Sequence, residues 1–201
     1  MLSPPRIGII DYGAGNIRSV SNALRDLGVE HFVSAERGEL AQASKVILPG
    51  VGEARSAMDA LDAQNLPEWL RDLQVPFLGI CLGMQLLFDR STERDTPCLG
   101  LVRGTVVRFA GSGGTKVPHM GWNAVRPVAA HPLFDGIADG EHFYFVHSYH
   151  APVTGDAIAR SEHDVPFAAA VAVRNYAGVQ FHPEKSGRAG LRLLRNFVDR
   201  C

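Results

Sequence analysis

Of the three cysteines in this chain, one stands in a glycine frame, Gly79-Ile80-Cys81-Leu82-Gly83. A nucleophile spaced as G-x-Nu-x-G has the pattern of an elbow. A sharp strand-to-helix turn pushes one side chain outward, and the flanking glycines let strand and helix approach closely. A thiol gains twice in such a place. The N-terminus of the following helix favours thiolate, and the N–H of Leu82 can hold an oxyanion. A cysteine in an apolar strand can also be a small hydrophobe, and the glycine frame is what favours the reactive reading. Cys98 and Cys201 have no such frame and read as bystanders. The set contains no CxxC pair and no zinc spacing, so it points to neither a disulfide framework nor a metal site, and no cofactor is expected.

A thiol needs a base, and the base needs orienting. Phe181-His182-Pro183-Glu184 offers both. Pro183 biases His182 toward extended backbone, and residues two apart in an extended segment project to one side, so the Glu184 carboxylate could reach the His182 imidazole. Taken alone, the tripeptide also fits a surface loop with Glu184 in the first turn of a helix. Its pairing with the elbow carries the weight. His147 and His150 suggest a metal less than their types imply, because an odd offset in a strand sends side chains to opposite faces. Gly13-Ala14-Gly15 falls short of a dinucleotide fingerprint, since the third glycine position is occupied by Arg18.

These residues need strands and turns to hold them. Arg6 to Asp11 reads as a buried strand running into a turn, and Ile17, Val20, Leu24 and Leu27 supply a helix face that ends at Gly28. Lys45 to Gly50 reads as a second buried strand, followed by a helix with Ala54, Ala57, Met58 and Leu61 inward. Pro76 to Cys81 is a further strand leading into the apolar segment Leu82 to Phe88. Alternating buried strands and amphipathic helices predict a doubly wound α/β fold with a largely parallel central sheet flanked by helices. From about Gly100 the segments become short, β-rich and punctuated by Gly and Pro, as in an antiparallel extension in the second half. A closing helix from about Ser186 should bury Leu191, Leu194 and Val198.

With 201 residues, 46% hydrophobic and 20% charged, the chain can bury one good core, and a single domain over residues 1–201 is expected. A net charge of -1 offers no stripe for nucleic acid. No apolar run approaches the roughly 20 residues that span a bilayer, and Met1 to Arg6 lacks the pattern of a secretory signal, so a cytoplasmic protein free of membrane is expected.

Together these residues resemble the class I (triad) glutamine amidotransferases, whose elbow and histidine motifs look like GICLGMQ (Gly79 to Gln85) and FHPEKS (Phe181 to Ser186). In detail they resemble the glutaminase subunits of imidazole glycerol phosphate synthases. IIDYGAGN (Ile9 to Asn16), LPGVG (Leu48 to Gly52), PHMGWN (Pro118 to Asn123) and YFVHSY (Tyr144 to Tyr149) occur in that order, so the likeness spans nearly the whole chain. The resemblance implies hydrolysis of L-glutamine to glutamate through a thioester. It also implies a heterodimer with a cyclase subunit that uses the ammonia to form imidazole glycerol phosphate for histidine biosynthesis. Carried over, Cys81 is the nucleophile, His182 the base and then acid, and Glu184 the orienting carboxylate. Val51 and Gly52 of the Pro49-Gly50-Val51-Gly52 turn would join Leu82 in the oxyanion hole. Gln85, Ser148 and Tyr149 would contact glutamine, although Gln85 also fits a solvated helix position. Asn16, Trp122, Tyr144 and Lys185 would face the cyclase. A glutaminase or γ-glutamyl hydrolase of another pathway, and an idle regulatory scaffold, are the competing readings.

Overall fold

Val46, Ile47 and Leu48 are consecutive and fully buried, so their strand has no solvent face at all. That is the pattern of a parallel strand covered on both sides. The computed structural model describes residues 6–201. The opening Met1–Pro5, with most of the segment on which the absence of a signal was expected, lies outside the described residues.

In the first half, β1 (Ile7–Ile10), α1 (Ile17–Asp26), β2 (His31–Ser34), α2 (Arg37–Leu40), β3 (Lys45–Gly50), α3 (Ala54–Ala63), α4 (Leu66–Arg71), β4 (Phe77–Cys81) and α5 (Leu82–Gln85) follow one another. The second half adds β5 (Phe88–Ser91), β6 (Thr96–Pro97), β7 (Val102–Arg108), β8 (His119–Pro127), β9 (Glu141–His147), β10 (Tyr149–His150), β11 (Ala157–Glu162), β12 (Pro166–Val173), β13 (Tyr176–Val179) and α6 (Gly187–Arg200). One nine-stranded sheet runs in the order β2-β1-β3-β4-β13-β12-β11-β8-β9. Its strands are parallel from β2 to β13 and antiparallel beyond, so the expected parallel sheet with an antiparallel extension is what forms.

Alternate strand residues enter different cores, as pleating requires. Ile47, Leu78 and Ile80 pack with Val20 and Leu24 of α1 and Leu194 and Phe197 of α6. Val46, Leu48 and Phe77 pack with Met58 and Leu61 of α3 and Leu66 and Leu70 of α4. Each such buried side chain contributes roughly 1.5–3 kcal/mol, which is what clamps the two helical layers to the sheet.

Several elements differ from expectation. β3 is the third strand, because β2 intervenes at the sheet edge with only Ser34 buried and so shows no apolar run. After Cys81 the helix lasts a single turn. Leu82 to Phe88 is buried throughout, has no polar face for an amphipathic helix, and feeds β5 of a separate four-stranded sheet, β10-β7-β5-β6. In α6, Leu193 and Phe197 join Leu194 and Val198 inside, and Leu191 is only partly buried.

Candidate active site

Cys81 ends β4 with φ 55° and ψ -108°, a conformation that an L-residue adopts only under strain. The surrounding glycines show why the frame is needed. A Cβ on Gly79 would lie 2.5 Å from the Gly83 carbonyl oxygen, and one on Gly83 would lie 2.0 Å from that of Leu48. Gly50 is the register partner of Cys81 across β3 and β4, and a Cβ there would come within 2.6 Å of the Gly83 nitrogen. Three backbones therefore touch at the bend.

β13 lies directly beside β4, so the chain leaving β13 delivers His182 to the same place. His182 is extended, with φ -99° and ψ 94°. Glu184 then reaches it through the 3-10 turn Pro183–Lys185, not along an extended strand as expected, because the turn folds residue i+2 back over the ring. His182 Nδ1 donates to Glu184 Oε1 at 2.8 Å, and Asn16 Nδ2 donates to the same oxygen at 2.9 Å. Both side chains of the pair are buried, and His182 Nε2 has no hydrogen-bond partner in the resting arrangement. The Cys81 sulfur is instead directed at the Val146 carbonyl at 4.0 Å and receives Gln180 Nε2 at 3.7 Å.

Burial disfavours charge on His182, yet the facing Cys81 sulfur and the Glu184 carboxylate outweigh it and raise its pKa to about 10. The arrangement thus favours an imidazolium opposite the sulfur. The folded chain holds this proton more tightly than the unfolded chain, whose histidine titrates near 6.5. The resulting stabilisation is complete below pH 6.5 and declines as pH rises through about 10. The difference in melting temperature between wild type and His182→Asn should shrink across that window. A constant difference from acid to alkaline pH would refute the linkage. Cys98 contrasts with Cys81: burial raises its pKa to about 11, and its thiol donates to the Thr96 carbonyl.

A cleft of about 410 Å³ opens over the sulfur, within the range of small-molecule sites. Val51, Gly52, Cys81, Leu82, Gln85, Ser148, Tyr149 and His182 all line it, so of the residues expected for catalysis, oxyanion and substrate all but Glu184, which stands behind His182, meet there. Gly52 sits at φ 95°, in the left-handed region that glycine tolerates at the turn after β3. Gln85 is buried, not solvated, and its Nε2 donates to the Tyr149 carbonyl at 2.8 Å and to Gln180 Oε1 at 2.9 Å. Both N–H groups being used, Gln85 has only its oxygen to offer, which suits an ammonium group and not a carboxylate.

The residues expected at the cyclase surface gather beside the triad turn. His182 N donates to the Tyr144 carbonyl at 2.9 Å, and Tyr144 N donates to Ser186 Oγ at 3.0 Å. Trp122, 57% exposed, packs edge-on to Tyr144 across β8 and β9. Lys185 is exposed on the turn itself, whereas Asn16 is engaged with Glu184.

Sequence reasoning missed Gln180 and the histidine cluster behind the cleft. The only hint of Gln180 was one polar residue in the apolar run before His182. His147 and His150 do not face opposite ways, because the strand breaks at Ser148 and both rings pack around Phe109. His119 and His147 are linked at 2.9 Å, and burial above all holds their pKa values down at about 4 and 3. Neutral rings suit a hydrogen-bonded core, and among the described residues no three such side chains form a metal-binding group.

The elbow, the imidazole–carboxylate pair and the doubly wound sheet define a class, and a family model described as glutamine amidotransferase class-I matches residues 8–201. The chain belongs to the class-I glutamine amidotransferases. More particularly, it shares 48% identity over 193 residues, 96% of each chain, with imidazole glycerol phosphate synthase subunit HisH of Xylella fastidiosa (strain Temecula1 / ATCC 700964). The same-named subunit of Geobacillus thermodenitrificans (strain NG80-2) is 50% identical over 203 residues, covering 96% of this chain and 94% of the relative. Among solved structures, a putative GMP synthase subunit from Thermoplasma acidophilum superposes with a TM-score of 0.74 at 21% identity, covering 98% of this chain and 94% of its own. PurLQS from Thermotoga maritima gives 0.74 at 20% identity, covering 98% and 99%. Those two likenesses concern the fold alone.

Proposed function

We propose that this chain hydrolyses L-glutamine as the glutaminase subunit of an imidazole glycerol phosphate synthase, with Cys81 as nucleophile, His182 as proton carrier and Glu184 as its orienting partner. The single observation that carries the reading is the buried, unpartnered His182 Nε2 in the cleft of a strained, glycine-framed thiol. His182 takes the Cys81 proton, the sulfur attacks the side-chain amide carbon of glutamine, and the carbonyl π electrons move onto oxygen. The N–H groups of Val51 and Leu82, with Gly52 permitting the turn, hold that oxygen, each donor lowering the barrier by roughly 2.7–4 kcal/mol. His182 gives its proton to the departing nitrogen, ammonia leaves, and a thioester remains. His182 then takes a proton from water, the resulting hydroxide attacks the thioester, the Cys81 thiolate is expelled, and glutamate leaves with the proton of its new carboxyl group passing to solvent. Gln85 Oε1 accepts from the α-ammonium of glutamine, and the Ser148–Tyr149 backbone completes the seat.

Ammonia passes to a cyclase subunit in a heterodimer, docked on the face that carries Trp122, Tyr144, Lys185 and the Asn16 loop. Amphipathic aromatic rings are favoured anchors for such a surface, and Met120, 64% exposed beside Trp122, enlarges it. Residence in the cytoplasm belongs to the same reading and is supported by three free thiols. The intact Cys81, His182 and Glu184 weigh against an idle scaffold, and the HisH relatives weigh against a γ-glutamyl hydrolase or another synthase.

Val51 is 40% exposed on the turn after β3, so a docked partner has access to the oxyanion segment. Glutamate release should therefore be slow for the free chain and rise when the cyclase partner and its nucleotide substrate are added. Equal rates with and without the liganded partner would sink the coupling.

A further inference from the structure

Gln180 is fully buried between β13 and the His182 turn, and the mechanism so far gives it no task. We propose that Gln180 is a catalytic residue that donates an N–H to the Cys81 sulfur and stabilises its thiolate. This deepens the reading of Cys81 as the nucleophile and rests on it.

The orientation of the amide follows from its neighbours. A side-chain amide can be turned end for end, but the Tyr149 carbonyl can only accept. It therefore requires the NH2 end of Gln85, whose second N–H is directed at Gln180. Gln180 must answer with its oxygen, which leaves its own NH2 facing the sulfur at 3.7 Å. The reversed amide would set two NH2 groups against each other and an oxygen against the sulfur. The Tyr149 carbonyl is itself fixed from the far side by His147 Nδ1 at 2.8 Å, and His147 is linked to His119 and on to Asn123. A buried chain of hydrogen bonds thus points one donor at the reacting atom.

A neutral thiol is a weak acceptor, whereas a thiolate takes part in a charge-assisted hydrogen bond of about twice the usual strength. The donor therefore favours the ionised sulfur selectively. It acts twice in the cycle, when the sulfur gives up its proton to His182 and again when the thioester expels the sulfur. Simple positioning of Gln85 would give no such preference for one protonation state.

The test is the pH profile of carboxamidomethylation of Cys81 by iodoacetamide, resolved by peptide mass spectrometry on the full chain. In Gln180→Leu, labelling should be roughly five- to tenfold slower than wild type at pH values well below the ordinary thiol range near 8.5, and equal to it well above, where the thiol ionises unaided. Gln180→Glu keeps an oxygen for Gln85 but sets a carboxylate against the sulfur, and it should also slow labelling below that range. Wild-type labelling by either variant, or slowing by the same factor at every pH, would overturn the donor role. Wild-type Cys81 labelled no faster than Cys98 would defeat the nucleophile itself, so the two failures are distinguishable.

Discussion

Replacing Cys81 with alanine should lower partner-stimulated glutamate release by about 10⁴-fold or more, while glutamine binding and the fold survive. No other thiol lines the cleft. Among the described residues the remaining cysteines are Cys98, held as a neutral thiol by burial and a bond to the Thr96 carbonyl, and Cys201 at the end of the chain, where burial also raises the pKa. Neither lines the cleft. Loss of one small side chain that is 6% exposed costs little packing energy, so folding should persist. Rates with saturating cyclase, nucleotide and glutamine, together with a glutamine titration, separate chemistry from binding. Residual activity above about a hundredth of wild type would show that the sulfur is not essential.

Gly83→Ala should destabilise the fold strongly. The added methyl would need to sit 2.0 Å from the Leu48 carbonyl oxygen, a backbone atom in the central strand β3. β3 is held by β1 on one side and β4 on the other, so the helix turn must move instead. Strain of this kind costs about 1–3 kcal/mol and often more, and the displacement would also swing Leu82 and Gln85 away from the cleft. Gly38→Ala in α2 is the comparison, because no atom lies within 4 Å of its built Cβ. That change should be neutral or stabilising by about 0.4–1 kcal/mol. Denaturant midpoints measure both, and equal midpoints for the two variants would contradict a steric role for the glycine frame.

What sequence could and could not reveal follows from which forces leave local traces. β1, β3 and β4 are legible because strands buried on both faces become unbroken apolar runs. β2 has one half-exposed face, and β6 and β10 are two-residue strands that exist only through their partners, so no periodicity marks them. The elbow is legible because close approach demands glycine. Gly50 belongs to the same contact, but its role depends on β3 lying beside β4, a pairing made by tertiary structure. Gln180 was hidden for the same reason. Only the placement of β13 against β4 brings it to the sulfur, and only the carbonyl of Tyr149 decides which way its amide faces. His147 and His150 misled because the break at Ser148 cancels the alternation that two residues in one strand would obey.

Mapping covalent modification by a diazoketone analogue of glutamine, in the presence of the liganded cyclase, tests most directly whether this thiol is the nucleophile. The adduct should appear on Cys81, glutamine should protect against it, and His182→Asn should nearly abolish it. An adduct on Cys98 or Cys201, or labelling of Cys81 that glutamine fails to slow, would contradict the account.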